Sequence, residues 1–205
     1  MIVIIDYGAG NIGSVNNAVT KLGYKALITN KPDDVLKANT VILPGVGSAG
    51  DTMSSLQALG MVEAINEIIA MKRPLFAICV GLQVLMTSTE EGGLHKCMDI
   101  FQGRVKHLPP GQKIPHMGWN QVKQHYSHPI FNGIPDETNF YFVHSYYAEP
   151  IDNSFVAGTT YYGAQICSVI LKDNLIATQF HPEKSSTYGL KMYSNFFEMA
   201  QEKKA

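Results

Sequence analysis

The chain has 205 residues, 45% hydrophobic and 16% charged, and its 16 basic against 17 acidic side chains leave a formal net charge of −1. That balance lacks the basic footprint of a nucleic-acid binder or an anionic-membrane binder, and neither half carries a long run of one sign. With mean hydropathy near zero, the composition excludes an intrinsically disordered segment and suits one domain with a sizeable core.

Ile2 to Ile5 reads as a first strand, ended by Asp6 too soon to be a signal-peptide core. A helix follows from about Asn11, with Ile12, Val15, Val19 and Leu22 spaced by three and four and Gly23 just past its end. Ala26 to Thr29 is a second strand and Val41 to Leu43 a third, closed by Pro44-Gly45. The stretch from about Asp51 to Met71 reads as one long helix, and Pro74 stops it before a fourth strand, Leu75 to Ile78. This alternation predicts βα units on a parallel sheet. From about Phe101 to Ala177, glycines, prolines and aromatics bound short runs such as Tyr141 to Val143, Phe155 to Thr159, Ile166 to Leu171 and Leu175 to Gln179. Mixed or antiparallel strands are expected there. A final helix runs from about Ser185 to Met199. No apolar run reaches the length of a membrane span, and no repeat or linker divides the chain, so a single domain over 1–205 in the cytoplasm is expected.

Gly8, Ala9, Gly10, Asn11, Ile12 and Gly13 match the glycine-rich dinucleotide fingerprint in form, directly after a strand. The acidic residue that should end the second strand is replaced by Asn30, so a tight turn is the preferred reading. Cys79 stands where an apolar strand meets a helical pattern through Leu82, Leu85 and Met86, with small residues, Ala77 and Gly81, two before and two after. A nucleophile elbow has this steric requirement, and the helix start offers a backbone N–H to an oxyanion; a buried, inert cysteine fits the same position. Cys97 and Cys167 are distant from it, and three scattered cysteines do not make a disulfide scaffold. His181 and Glu183 follow the last apolar strand two residues apart, so in extended geometry they share a face and form the base-plus-orienter half of a triad. Strand ends of a parallel sheet open on one edge, where Cys79, His181 and Glu183 can meet. His95 and Cys97 lack a second ligand pair, so no metal is expected.

These residues resemble class I glutamine amidotransferases, above all the glutaminase subunits of imidazole glycerol phosphate synthase. The likeness runs through Asp6-Tyr7-Gly8-Ala9-Gly10-Asn11, Pro44-Gly45-Val46-Gly47, Ile78-Cys79-Val80-Gly81-Leu82-Gln83, Pro115-His116-Met117-Gly118-Trp119-Asn120, Tyr141-Phe142-Val143-His144-Ser145-Tyr146 and His181-Pro182-Glu183-Lys184-Ser185. It implies a flavodoxin-like α/β fold with an open, mostly parallel central sheet flanked by helices. It implies a Cys79-His181-Glu183 triad, an oxyanion hole from the backbone of Val46, Gly47 and Val80, and a glutamine site at Gln83, Glu91, Ser145 and Tyr146. The Gly45–Val46 peptide is the one expected to reorient before Val46 can donate. No cofactor is implied. The implied partner is a (β/α)8 cyclase subunit in a heterodimer, met through Asn11, Trp119, Tyr141 and Lys184 and supplied with ammonia. Tyr141 suits the core equally, and His144, among aromatics, suits a packed, hydrogen-bonded histidine as well as a base. Ala77 and Val80 depart from the glycine and leucine usual in the family, which keeps open a paralogue that serves another acceptor, such as a nucleotide-linked sugar. A non-catalytic flavodoxin-like binding module also stays open at this point.

Overall fold

The computed structural model describes residues 1–8 and 11–202. Its first half alternates strand and helix: β1 (Ile2–Ile5), α1 (Ile12–Lys21), β2 (Ala26–Thr29), α2 (Pro32–Lys37), β3 (Thr40–Leu43), α3 (Ala49–Ala58), α4 (Met61–Ala70), β4 (Leu75–Ile78) and α5 (Val80–Gln83). Strands dominate the rest: β5 (Met86–Thr89), β6 (His95–Lys96), β7 (Phe101–His107), β8 (His116–Gln124), β9 (Thr138–His144), β10 (Tyr146–Pro150), β11 (Val156–Tyr161), β12 (Gln165–Lys172) and β13 (Leu175–Thr178), before α6 (Ser186–Glu202).

Nine strands form the main sheet in the order β2-β1-β3-β4-β13-β12-β11-β8-β9. The first five are parallel; the remaining pairings are antiparallel. β10-β7-β5-β6 make a second, smaller sheet. Every residue of β3, β4 and β13 is buried, which is why these strands read as continuous apolar runs rather than alternating ones. β13 returns from the far end of the chain to pair with β4, setting Thr178 beside Ile78. One hydrophobic cluster joins β1, β3, β4 and β13 to Phe140, Phe142, Tyr193 and Phe196 of the second half. Among the described residues no helix is long and apolar enough to cross a membrane.

The helix expected over Asp51 to Met71 is two helices. Gly60, at φ +67°, breaks it, because glycine alone takes a left-handed conformation without steric cost. The apolar stripe also changes there: α3 buries Met53 and Leu56, and α4 buries Met61, Ala64, Ile65 and Ile68, so the step from Leu56 to Met61 breaks the three-and-four spacing. The helix after Cys79 is a single turn, and Met86 opens β5 instead of extending it. α2 is short enough to show no periodicity, although Pro32 at its start and Asp33 and Asp34 in its first turn are ordinary start signals. Phe155 belongs to a short 3-10 turn rather than to the following strand.

Candidate active site

Cys79 links β4 to α5 with φ +53° and ψ −106°, a backbone region costly for a side chain and tolerated where the surroundings overdetermine it. Its N–H donates to Thr178 O of β13 at 2.6 Å. Space explains the small neighbours. A Cβ on Gly81 would lie 2.6 Å from Leu43 O and 3.5 Å from Ala77 Cβ, and one on Gly45 would lie 2.6 Å from Ile78 O. The Pro44 to Gly47 segment and the elbow thus pack backbone on backbone. Tyr7, after β1, has its buried hydroxyl beside the Val46 backbone and the Thr52 side chain, and burial raises its pKa. That hydroxyl completes no hydrogen bond of ordinary geometry.

His181 and Glu183 meet through a turn, not through the extended geometry expected. Pro182–Lys184 forms a 3-10 turn, which carries the Glu183 carboxylate back so that Oε1 lies 2.7 Å from His181 Nδ1. The main chain of His181 is anchored at both ends: its N–H donates to Tyr141 O at 2.9 Å and its carbonyl accepts from Ser185 Oγ at 2.7 Å. Ser185 Oγ accepts in turn from Tyr141 N–H at 2.9 Å, tying the turn to β9. With Nδ1 on Glu183, the ring presents Nε2 to Cys79. This nitrogen is buried and makes no hydrogen bond of ordinary geometry, but it interacts with the sulfur. Burial opposes a charge on the ring, and the Cys79 thiolate and Glu183 carboxylate outweigh it, raising the pKa to about 10. The ring is thereby held in a site that favours its charged form, with Nε2 turned to the sulfur.

A cavity of about 300 Å³ opens at these strand ends. Its walls bring together Val46, Gly47, Cys79, Val80, Gln83, Glu91, Ser145, Tyr146 and His181, the residues expected around a nucleophile, an oxyanion and a glutamine. Gln83 is more occupied than a free ligand-binding amide: its Nε2 donates to Tyr146 O at 2.8 Å and to Gln179 Oε1 at 3.2 Å. Gln179 then places Nε2 3.6 Å from Cys79 Sγ, a site contact that spacing alone does not announce. Glu91 Oε2 accepts from Ala49 N–H at 3.0 Å, at the start of α3. A larger open groove of about 640 Å³ lies elsewhere, beside His125, Tyr147 and Gln165. It includes Cys167, but burial pushes that thiol up to about 12, and burial pushes Cys97 up to about 11, so neither supplies a thiolate at neutral pH. Among the described residues no cluster of three or more His, Cys, Asp or Glu could hold a metal ion.

Three of the four residues expected at a partner surface share one face. Trp119 is 54% exposed and stands edge-on to Tyr141, with ring centroids 6.2 Å apart; the Lys184 ammonium lies 5.9 Å from the same tyrosine ring. Tyr141 is half-buried. Asn11 is turned inward and donates from Nδ2 to Glu183 Oε1 at 3.2 Å. In the glycine-rich loop before it, Ala9 and Gly10 lie outside the described residues.

The family profile described as glutamine amidotransferase class-I matches residues 3–200. The chain belongs to the class I glutamine amidotransferases. This amidotransferase is 58% identical over 200 residues to the imidazole glycerol phosphate synthase subunit HisH of Dehalococcoides mccartyi strain CBDB1, covering 98% of each chain. It is 48% identical over 200 residues to the subunit of the same name from Moorella thermoacetica, covering 98% of this chain and 95% of that one. The amidotransferase fold is also seen in a glutamine amidotransferase crystal structure, with TM-score 0.76, 15% identity, and 98% and 100% of the two chains covered. PurLQS from Thermotoga maritima gives TM-score 0.73 at 18% identity, over 97% of each chain.

Proposed function

We infer that this chain, acting as a single amidotransferase domain, is the glutaminase subunit of an imidazole glycerol phosphate synthase. It hydrolyses glutamine to glutamate and ammonia. The observation that carries the chemistry is the buried line Cys79, His181, Glu183 at one end of a cavity sized for an amino acid. The Cys79 thiolate attacks the side-chain amide carbon of glutamine, and the carbonyl electron pair moves onto oxygen. Backbone N–H groups of Val80 and of the Val46–Gly47 segment stabilise that oxyanion, each aligned donor contributing about 3 kcal/mol. His181 gives its Nε2 proton to the departing nitrogen, which leaves as ammonia. A water then loses a proton to His181 and adds to the thioester, releasing glutamate and the thiolate. Glu183 holds the imidazole in the tautomer that both steps use. Glu91, the Gln83 carbonyl and the Ser145–Tyr146 backbone hold the two ends of the substrate.

The acceptor lies on another chain. The relatives' names, each a subunit of imidazole glycerol phosphate synthase, support a second subunit as that partner; in this reading it is a (β/α)8 cyclase, in a heterodimer that converts PRFAR to imidazole glycerol phosphate and AICAR in the cytoplasm. The Trp119, Tyr141 and Lys184 face serves as the docking surface, with Lys184 both on that face and on the cavity wall, a position suited to passing ammonia across the contact. The deciding experiment is glutamate release from glutamine by the chain alone, with a cyclase subunit from the same source, and with that cyclase plus PRFAR. Activity negligible alone and sharply raised in the full mixture is expected. Free hydrolysis by the isolated chain, or silence in the full mixture, would overturn the assignment.

A further inference from the structure

Three hydrogen bonds run in line from β8 to the glutamine cavity. Asn120 Nδ2 lies 3.2 Å from His116 Nε2, His116 Nδ1 lies 3.0 Å from His144 Nε2, and His144 Nδ1 lies 2.9 Å from Tyr146 O. The last acceptor dictates the direction of all three. A carbonyl can only accept, so His144 carries its proton on Nδ1 and accepts at Nε2; His116 must then donate from Nδ1 and accept at Nε2 from the Asn120 amide. Asn120 itself is held by Tyr161 O at 3.2 Å and by Gln121 N–H, which donates to Oδ1 at 2.8 Å. Every polar atom along the line has a partner, and a single tautomer pair satisfies them all.

Both rings are enclosed, with His116 3% and His144 5% exposed. His116 is stacked between Tyr162, at 3.9 Å and 18°, and Phe142, at 4.8 Å and 21°. Burial keeps both neutral, pushing His116 down to about 4 and His144 down to about 3, where repulsion from a His116 protonated in acid adds to the burial. At the inner end, Tyr146 O receives two donors, His144 Nδ1 and Gln83 Nε2, which uses both its lone pairs. The carbonyl before it, Ser145 O, is held by Leu108 N–H at 2.9 Å. The Ser145–Tyr146 backbone is therefore held by three donors, and one of them, His144, lines the same cavity as Cys79.

We propose that His144 and His116, locked as one neutral tautomer pair, are positioning residues that fix the Tyr146 carbonyl and through it Gln83, and so set the affinity of the cavity for glutamine. The proposal rests on the glutaminase reading and adds to it two residues whose hydrogen bonds go neither to the nucleophile nor to its base.

Two substitutions separate the ends of the line. His144→Asn keeps an amide N–H near the Nδ1 position and loses the acceptor for His116; His144→Gln keeps that acceptor near Nε2 and loses the donor to Tyr146 O. Each variant loses one buried hydrogen bond, so thermal midpoints should fall alike. In the complex with its cyclase subunit, His144→Gln is expected to raise KM for glutamine about tenfold with kcat within about threefold, the size of one lost hydrogen bond. His144→Asn is expected to stay within about twofold of the unsubstituted KM, because the donor that sets it is kept. Matching KM values in the two variants would overturn the proposal. Nitrogen NMR of the unsubstituted, 15N-histidine-labelled chain gives a second test independent of the variants' folding. Protons on Nδ1 of both rings are expected, and an Nε2 proton on either would sink the proposal. An unsubstituted complex that releases no glutamate would sink the glutaminase reading instead, and the NMR result would still stand apart from it.

Discussion

Glu183 is a carboxylate with one oxygen in heavy use: Oε1 takes both His181 Nδ1 and Asn11 Nδ2, while Oε2 is buried without a hydrogen-bond partner. An amide at this position can still accept from His181, so Glu183→Gln should retain orientation and lose charge. Its loss of kcat should be at least about tenfold smaller than that of Cys79→Ala, which removes the proposed nucleophile outright; equal losses in a glutamate-release assay would overturn the division of roles. The buried imidazoles also predict opposite pH limbs for stability. His181 is raised above its unfolded value of about 6.5, so its contribution is complete below pH 6.5 and is lost as pH rises toward 10. His116 and His144 are depressed, so theirs is complete above pH 6.5 and falls away as pH drops toward 4 and 3. Urea unfolding should therefore show greatest stability near pH 6.5. The slope per titrating group is about 1.4 kcal/mol per pH unit at most. Glu183→Gln should flatten the alkaline limb, since one of the two groups that raise His181 then carries no charge; an unchanged limb would contradict this account.

The strand-to-helix elbow works because two backbones touch. Gly81 has Leu43 O and Ala77 Cβ against the place where a side chain would begin, and Gly45 faces the same turn from the other side. Gly81→Ala should cost about 1 to 3 kcal/mol by overpacking and should lower kcat together with stability, because relief of the clash displaces either Cys79 or the Val46–Gly47 backbone proposed as the oxyanion hole. Calorimetric unfolding and steady-state turnover on one preparation check both; full activity with a lowered midpoint would separate packing from alignment. The elbow was legible in the sequence because its requirements are local: an apolar strand, small neighbours and a helical start. The 3-10 turn at Pro182–Lys184 was not, since alternation predicts only that His181 and Glu183 share a face. Proline after His181 and the Ser185 hydroxyl between His181 O and Tyr141 N–H replace that face by a tighter loop.

For the whole molecule, the insertion of β13 beside β4 is decisive, since it joins residues a hundred positions apart at a parallel strand end. The same edge leads outward past Lys184 to Tyr141 and Trp119, so the reacting cavity and the exposed aromatic face are neighbours. Exposed tryptophans of this kind anchor interfaces, and Trp119→Ala should weaken the complex with the cyclase by about 2 kcal/mol, roughly thirtyfold in Kd. Titration calorimetry against the cyclase measures it, with circular dichroism to show that the free chain is unchanged. A Kd within about twofold of the unsubstituted value would move the interface elsewhere, that being well under the cost of losing one anchor.

Local chemistry written into the sequence determined the alternating parallel half, the strand-rich second half, the turn that carries Cys79 and the nearness of His181 to Glu183. Those features depend on periodicity, glycine and proline placement, and neighbours a few residues apart. Tertiary structure alone decided what lies across from what: Gln179 at the Cys79 sulfur, Asn11 on the Glu183 carboxylate, Gln83 bonded within the wall it lines, and His116 coupled to His144. Each of these is a hydrogen bond between distant segments. Which segments meet depends on how whole apolar faces are buried and on which strand edge is left to pair, and no window of neighbouring residues contains that choice.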